Sequence, residues 1–340
     1  SFTYPDVEEK DWIEQLKRTH SIRDFQCNFI YHAVMKVLEK SSDGLTTSGF
    51  EKLEKHTPYL FISNHRDIIL DTSLLNTCLF EHGLVMTASA IGDNLVRKTF
   101  LHILSKLNRN FLVQRGLSPR ELLQSSKLMS EYICQLILRE NRSVWIAQRE
   151  GRTKDGNDAT HPGVLKMLSM GSEEDNLMDY FKKLKIVPVS ISYEYDPTDA
   201  LKMPQLMAEA NDEVYIKDKN EDFMTLLSGI MGQKKRIHIH VGDVLEDELD
   251  EIATKFDNSN RQIQALAQVI DDAVLANYKL WPTNYIAYDL LNNTDKYSHL
   301  YTEKEKSLFE RRLEIRIDES NPVELQGFLA MYANPVVNKS

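Results

Sequence analysis

The sequence predicts an α/β protein: a mixed sheet with crossover helices, extended by helical segments at both ends. The first observation is that short apolar runs of strand length alternate with helical patterns between Tyr59 and Val241. Such alternation is typical of a sheet whose crossover helices cover its faces. The second observation is that 340 residues, 42% of them hydrophobic, suffice to bury a substantial core.

Six apolar runs are candidate strands because they combine strand length with a high content of β-branched and aromatic residues. In a sheet of this type, active sites gather at the carboxyl ends of the strands, in the loops that lead into helices. Residues that follow these runs are therefore the first candidates for function. The runs are Tyr59–Ser63, Leu84–Ala88, Asn110–Gln114, Val144–Gln148, Ile186–Tyr193 and Ile237–Val241.

Helical periodicity predicts the crossover helices and the flanking segments. The clearest helix follows Ser118, which can cap it, since Pro119 suits the first position and Glu121 completes a capping box. We divide the chain into an N-terminal helical segment (1–50), an α/β domain (51–245) and a C-terminal helical extension (246–340). The predicted helices are Glu9–Lys40, Thr72–Phe80, Leu95–Leu107, Pro119–Arg139, Asn258–Leu280 and Thr302–Arg316.

The charge balance restricts the class of partner. A formal net charge of -10 argues against nucleic acid, because phosphate backbones require clustered Lys and Arg. The basic triplet Lys234-Lys235-Arg236 has two interpretations, a solvated strand end or a contact with an anionic membrane surface.

Cysteine usage and hydropathy bear on location. Cys27, Cys78 and Cys134 lie far apart without metal-ligand spacing, which favours free thiols in a reducing compartment. No signal peptide is recognised, and no apolar run approaches the roughly 20 residues of a membrane span. Any membrane contact is therefore expected to be peripheral. Candidate anchors are the N-terminal helix and the aromatic residues Trp281, Tyr285 and Tyr288, although both can equally pack in the core.

The first candidate strand ends in a histidine that a carboxylate follows closely. His65 comes directly after Phe61-Ile62-Ser63-Asn64, and both Asp67 and Asp71 lie in the next loop. An imidazole can take a proton from an attacking hydroxyl, and a carboxylate on its other nitrogen stabilises the imidazolium that forms. Alternatively, His65 only caps the following helix.

Three further strand ends carry polar or unusual residues. One run ends in Arg115, and another is followed by Glu150, Gly151 and Arg152. Arginine suits bidentate phosphate recognition, and glycine lets the backbone approach a ligand. Pro188 interrupts a strong strand pattern, which favours an edge strand or a bulge.

Together, the four blocks resemble the glycerol-3-phosphate / 1-acylglycerol-3-phosphate acyltransferase family, over about Tyr59 to Tyr193. Asn64-His65 and Asp71 are similar to its Asn-His…Asp block, and Phe111-Leu112-Val113-Gln114-Arg115 to its strand ending in Arg. Glu150-Gly151-Arg152-Thr153 approximates Glu-Gly-Thr-Arg, and Ile186-Val187-Pro188-Val189 resembles the apolar-Val-Pro-Val strand.

The sequence departs from the family pattern at two places. Five residues rather than four separate His65 from Asp71, so that Asp67 stays an alternative partner for the histidine. Arg152 and Thr153 are exchanged, and Arg149 stands where the family usually has proline.

The resemblance implies a glycerolphosphate-acyltransferase-type sheet and a fatty acyl transfer from acyl-CoA or acyl-carrier protein to glycerol-3-phosphate or 1-acylglycerol-3-phosphate. It implies His65 and Asp71 as catalytic residues, without a metal or other cofactor. It also implies work in phospholipid synthesis, in the cytoplasm at the inner face of the membrane. The residues implied in substrate binding are Asn64, Arg66, Asp67, Arg115, Glu150, Gly151 and Arg152.

Two other classes compete with this hypothesis. His65-Arg66-Asp67 also matches the protein-kinase catalytic loop, but Thr72 stands where that loop requires Asn, and no Gly-rich loop or Asp-Phe-Gly follows. A non-catalytic lipid- or acyl-carrier-binding protein on the same fold is the alternative, supported by the altered spacing between His65 and Asp71.

Overall fold

A computed structural model describes residues 9–339, and its centre is one seven-stranded sheet in the order β1-β7-β6-β2-β5-β3-β4. Strand β2 pairs in parallel with both β5 and β6, and β3 pairs in parallel with β5 and β4. Strand β7 runs antiparallel to β6 and parallel to β1. The predicted fold class, a mixed α/β sheet with crossover helices, is confirmed. The strands are β1 (Ser42–Ser48), β2 (Leu60–Ser63), β3 (Thr87–Gly92), β4 (Asn110–Val113), β5 (Ser143–Ala147), β6 (Ile186–Tyr193) and β7 (Lys235–Val241).

Strand β1 was not predicted from the sequence, and strand β3 begins later than predicted. Strand β1 has the polar sequence Ser-Asp-Gly-Leu-Thr-Thr-Ser and stands at the edge of the sheet, so it lacks the apolar run that marks the others. It lies inside the segment predicted as N-terminal and helical, so the sheet begins before the expected boundary at residue 51. Strand β3 starts at Thr87 rather than Leu84. The division into three segments stays a prediction.

The proline in β6 does not mark an edge, because β6 lies between β2 and β7. Its carbonyl accepts a hydrogen bond from Gly242 N–H (2.9 Å), just beyond the point where Val189 and Val241 begin the antiparallel ladder. The missing N–H of Pro188 therefore faces Gly242, just past the last residue of β7, so only the terminal bond of the β6–β7 ladder is absent.

Helices cover both faces of the sheet, and alternate residues of each strand pack into different layers. Leu60 and Ile62 of β2 belong to one buried cluster, and Phe61 between them belongs to the other. The capping box that starts α6 is present, with Ser118 N–H donating to Glu121 (2.9 Å). The helices are α1 (Glu9–Lys17), α2 (Ile22–Phe25), α3 (Tyr31–Ser41), α4 (Leu70–Glu81), α5 (Thr99–Leu107), α6 (Pro119–Leu138), α7 (Pro162–Ser169), α8 (Leu177–Leu184), α9 (Asp199–Ala210), α10 (Glu221–Met231), α11 (Asp247–Lys255), α12 (Ser259–Asn277), α13 (Pro282–Asn292), α14 (Glu303–Arg316) and α15 (Pro322–Lys339).

The C-terminal helices pack against the end of β6 through a buried polar network. Asp199, in the first turn of α9, accepts hydrogen bonds from Arg312 of α14 (2.7 Å) and Tyr332 of α15 (2.8 Å). Asp196 pairs with the buried Lys202 and receives two bonds from Thr198. Each charge therefore has a partner, which offsets the cost of its burial.

The basic triplet has neither of the two predicted roles. Lys234 is fully buried and donates to Ser41 Oγ (2.8 Å) and to the carbonyls of Ile230 and Gly232. Arg236 forms an ion pair with the buried Glu194 (2.6 Å). The triplet thus ties the start of β7 to its surroundings: Lys234 is buried, and Arg236, with a side chain that is 41% exposed, is paired with Glu194.

Candidate active site

The carboxyl ends of the parallel strands β2, β5, β3, β4 and β6 lie at one edge of the sheet, and the predicted site residues follow them. At the end of β2, His65 Nδ1 lies 2.8 Å from Asp71 Oδ2. An ionised carboxylate only accepts hydrogen bonds, so the proton of a neutral His65 belongs on Nδ1, and Nε2 has a free lone pair. This is the arrangement of a general base oriented by a carboxylate.

Asp71 is fully buried and holds four hydrogen bonds. Its Oδ2 also accepts from the backbone N–H groups of Arg66 (2.6 Å) and Asp67 (3.0 Å), and its Oδ1 from the hydroxyl of Tyr193 (2.8 Å). The loop between β2 and α4 thereby folds around the carboxylate. The extra residue between His65 and Asp71 is absorbed by this loop, and the pair still forms.

Asp67, the alternative partner, faces away from the imidazole. Its Oδ1 accepts from the N–H groups of Ile69 (2.9 Å) and Leu70 (2.8 Å), which caps the start of α4. Its Oδ2 lies so close to Gly229 of α10 that a Cβ there would meet it at 2.0 Å. Burial, reinforced by the charge of Asp71, raises the pKa of Asp67. The geometry therefore selects Asp71 as the partner of His65.

Asn64 and Arg66 were predicted to bind substrate, but their polar atoms are used inside the protein. Asn64 donates to the carbonyl of Ile191 (2.9 Å) and accepts from its N–H (2.8 Å), which links the loop after β2 to β6. Arg66 pairs with the buried Asp158 (2.5 Å) and lies over the ring of Tyr278 (5.6 Å). With Asp67 at 1% exposure as well, these three side chains form a buried frame next to His65.

The loop after β5 is joined directly to the histidine. Thr153 N–H donates to the carbonyl of His65 (2.9 Å), and its hydroxyl donates to Asp158 (2.7 Å). Trp145 of β5 sets its ring edge-on to the imidazole, with centroids 5.3 Å apart, and donates to Ser63 (2.9 Å). These contacts restrict the orientation of His65 in addition to its hydrogen bond with Asp71.

Arg115 and Glu150, which follow different strands, meet as an ion pair. Both side chains are exposed, so the pair is accessible to a ligand. The guanidinium passes close to Gly92 at the end of β3, where a Cβ would lie 3.3 Å from Arg115 Nε. Since β3 is the neighbour of β5, Arg115 leans toward the centre of the edge where His65 and the loop after β5 lie.

Cations gather in the loop that Gly151 opens. Gly151 has φ +73°, a left-handed conformation that favours glycine, and Arg152 donates to Thr198 Oγ1 (3.1 Å). Burial, together with the charges of Arg152, Lys202 and Arg149, lowers the pKa of Lys154 to about 8. Among residues 9–339, no salt bridge is found for Arg149 or Lys154. The loop therefore has positive charge that forms no salt bridge within the described residues, although Glu209 partly offsets the charge of its neighbours at Lys154.

A mainly apolar groove runs along α4. It begins at the loop between β2 and α4 that carries His65, which we call the histidine loop. Ile68, Ile69 and Thr72 line its near end, beside His65 and Asp71, and its walls come from α3 with the π-helical turn before it, α4, β3, α5 and α10. Its cavity volume is about 90 Å³, and the groove is partly open to solvent.

Several residues of this site were missed by the sequence analysis. Tyr193, Asp158 and Trp145 reach His65 or its partners from other strands, and no local pattern marks them. Lys154 directly follows the block that was recognised, so its position close to Arg149 and Arg152 was an available signal. In the part of the chain that the structure describes, no group of three or more His, Cys, Asp or Glu side chains is arranged to hold a metal ion.

Comparison with known proteins identifies an acyltransferase domain in part of the chain. No curated protein matches the chain. Among solved structures, the 1-acyl-sn-glycerophosphate (LPA) acyltransferase PlsC from Thermotoga maritima is similar, at 12% identity and a TM-score of 0.40, over 79% of this chain and 81% of that one. That likeness is too weak to carry function from one chain to the other. The acyltransferase family model matches residues 44–192, which include all four blocks, β2 and the His65–Asp71 pair. Residues 44–192 therefore match an acyltransferase domain, as the motifs predicted.

Proposed function

We propose that this enzyme transfers a fatty acyl group from a thioester donor to a hydroxyl of a glycerophosphate-type acceptor, in phospholipid synthesis. The observation that carries the proposal is the position of the His65–Asp71 pair, beside the near end of an apolar groove and joined to a loop rich in basic residues. A general base, a place for an acyl chain and a place for a phosphate thus stand side by side.

His65 acts as the general base. Its Nε2 takes the proton of the acceptor hydroxyl as the oxygen attacks the thioester carbonyl, and the new C–O ester bond forms as the C–S bond breaks. The leaving thiolate takes up a proton, for which the imidazolium is the nearest source. Asp71, 2.8 Å from Nδ1, stabilises that imidazolium. General-base catalysis of this kind contributes about 10²–10⁴-fold.

In this proposal the groove binds the acyl chain of the donor. The loop of basic residues after β5 binds the phosphate of the acceptor. An acyl chain in the groove brings its carbonyl to Ile68 and Ile69, next to His65. Arg115, Arg152 and Lys154 supply the charge that a phosphate requires, and Glu150 orients Arg115 until substrate arrives. Glycerol-3-phosphate and 1-acylglycerol-3-phosphate both present that phosphate, and acyl-CoA and acyl-carrier protein both present the thioester.

Membrane contact belongs to the same proposal, although at a surface that the sequence did not indicate. No helix within residues 9–339 combines the length and the apolarity needed to cross a bilayer. Val214 and Ile216 are 89% and 86% exposed, and Phe100 on α5 is 71% exposed. Lys98 Nζ lies 3.7 Å from the ring centroid of Phe223, so α5 and α10 meet beside the groove that they line. Trp281, in contrast, is buried.

A surface with these exposed side chains can rest on the bilayer that holds the substrates. We place the enzyme in the cytoplasm, at the inner face of the membrane, with this surface against the lipid. Vesicle sedimentation tests it: V214E/I216E should lose vesicle binding and keep its melting temperature, and unchanged binding would remove this surface from the proposal.

The decisive experiment measures thiol release from acyl-CoA with glycerol-3-phosphate and with lysophosphatidate. His65→Ala should lower kcat about 10²–10⁴-fold while the protein stays folded. His299→Ala, at an exposed histidine, is the matched control. Unchanged transfer by a folded His65→Ala protein would reject the role of His65. Binding of acyl-CoA without thiol release in the presence of either acceptor would favour the non-catalytic binding protein.

A further inference from the structure

The groove changes character along its length. Near the histidine loop it is lined by aliphatic side chains such as Ile69 and Leu95. Its far end lies toward the opposite edge of the sheet, because α5 runs away from the site and delivers Asn110 to the start of β4. There the lining includes Gln26 and Ser105. An unbranched hydrocarbon would meet polar groups at the end where its terminal methyl lies.

Two of these polar groups have no partner. Gln26 and Ser105 are 6% and 5% exposed, and neither Gln26 Oε1 nor Ser105 Oγ makes a hydrogen bond within residues 9–339. Other polar side chains that line the groove do have hydrogen-bond partners. Asn76 accepts from Thr87 N–H (2.7 Å), and Asn108 donates to the carbonyl of Leu104 (2.9 Å). Buried polar atoms in folded proteins are normally paired, so the two oxygens indicate a missing partner.

The backbone presents Gln26 to the groove in an uncommon way. Gln26–Ile30 forms a π-helical turn between α2 and α3, and Gln26, Cys27 and Ile30 of this turn all line the groove. Single π-helical turns are rare and occur frequently at functional sites. The turn is thus a second feature, independent of the unpaired oxygens, that singles out this end of the groove.

We infer that the groove selects an acyl chain carrying a hydroxyl in its distal half, with Gln26 Oε1 accepting from that hydroxyl and Ser105 Oγ donating to it. The inference rests on the proposed function and specifies its donor. The position follows from α4, since Thr72 at the near end and Phe80 at the far end are eight residues apart, or about 12 Å along the helix. A hydroxyl beside the thioester would lie far short of Ser105.

The test compares three donors with the wild-type enzyme: octadecanoyl-CoA, 3-hydroxyoctadecanoyl-CoA and 12-hydroxyoctadecanoyl-CoA. The kcat/KM for the 12-hydroxy donor should exceed that for the unsubstituted donor about tenfold, the effect of one or two net hydrogen bonds. The 3-hydroxy donor should show no such advantage. In Ser105→Ala and in Gln26→Leu the ratio should fall toward one, and in Ser307→Ala, at an exposed serine of α14, it should stay at the wild-type value.

The outcomes separate this inference from the proposed function. Equal kcat/KM for octadecanoyl-CoA and its 12-hydroxy analogue would overturn the inference and show that water satisfies the two oxygens, and acyl transfer itself would stand. A preference that survives in both Ser105→Ala and Gln26→Leu would overturn it as well. Absence of thiol release with every donor and acceptor would instead reject the proposed function.

Discussion

Replacement of Asp71 by Asn tests the physical basis of the proposed mechanism. The amide can be accommodated: its oxygen can accept from His65, Arg66 and Asp67, and its NH₂ can donate to the hydroxyl of Tyr193, which is free to turn. The fold should therefore persist. What is lost is the negative charge beside an imidazolium that exists only during proton transfer.

The size of the effect follows from the geometry of the pair. Two unit charges about 4 Å apart attract each other by about 4 kcal/mol at an effective dielectric constant of about 20. The Nδ1–Oδ2 distance is 2.8 Å and Asp71 is fully buried, so screening by water is small. Since about 1.4 kcal/mol corresponds to a tenfold change in rate, Asp71→Asn should lower kcat about 10³-fold.

The assay is thiol release at saturating donor and acceptor, with the melting temperature as a check on folding. Asp67→Asn is the matched comparison, because Asp67 is equally buried yet caps α4 and does not contact the imidazole. Its kcat should fall less than about tenfold. If folded Asp71→Asn keeps kcat within tenfold of wild type, or if Asp67→Asn is the more damaging change, the assignment of Asp71 is wrong.

Three further predictions concern the residues proposed to bind the acceptor phosphate and the buried Asn64 beside His65. Arg115→Lys keeps the charge but loses the bidentate fork, so the KM for the phosphate acceptor should rise about tenfold with little change in kcat; an unchanged KM would exclude a phosphate contact. The pKa of Lys154 is lowered to about 8, so its cation is lost as pH rises through that value and the acceptor KM should rise there. In Lys154→Arg, which stays protonated, that rise should disappear, and its persistence would assign the titration to another group. Asn64→Ala leaves the N–H and carbonyl of Ile191 without partners, which should lower the free energy of unfolding by about 2 to 4 kcal/mol in urea denaturation; a loss under 1 kcal/mol would contradict the framing role.

Local sequence patterns were sufficient to predict the fold class and the positions of the motifs. The strand that precedes His65 and the helix that follows Ser118 each have a complete local signature, namely an apolar run for the one and a capping box for the other. Because these signals depend on neighbouring residues alone, periodicity and capping chemistry were enough to predict them. The position of functional residues at strand ends followed from the topology that parallel strands impose.

Where a role depends on contacts between distant parts of the chain, the sequence was insufficient. Asp67 and Asp71 are both close enough to His65 in sequence, and only the folding of the loop decides between them. An arginine such as Arg66 is a residue type that binds phosphate. Its guanidinium instead donates to Asp158, which lies 92 residues further along the chain. Lys234 looks solvated in the sequence and is fully buried in the fold.

The sequence alone therefore determined the kind of protein and the order of its chemistry along the chain: an α/β sheet that carries the motifs of an acyltransferase domain, with a histidine, arginines and a glycine turn after successive strands. The tertiary structure decided which carboxylate serves the histidine, which predicted contacts are buried, and that an apolar groove begins beside the pair. The physical reason is that residue types and spacing record local preferences, whereas partners, burial and cavities arise only when strands distant in sequence become neighbours in the sheet.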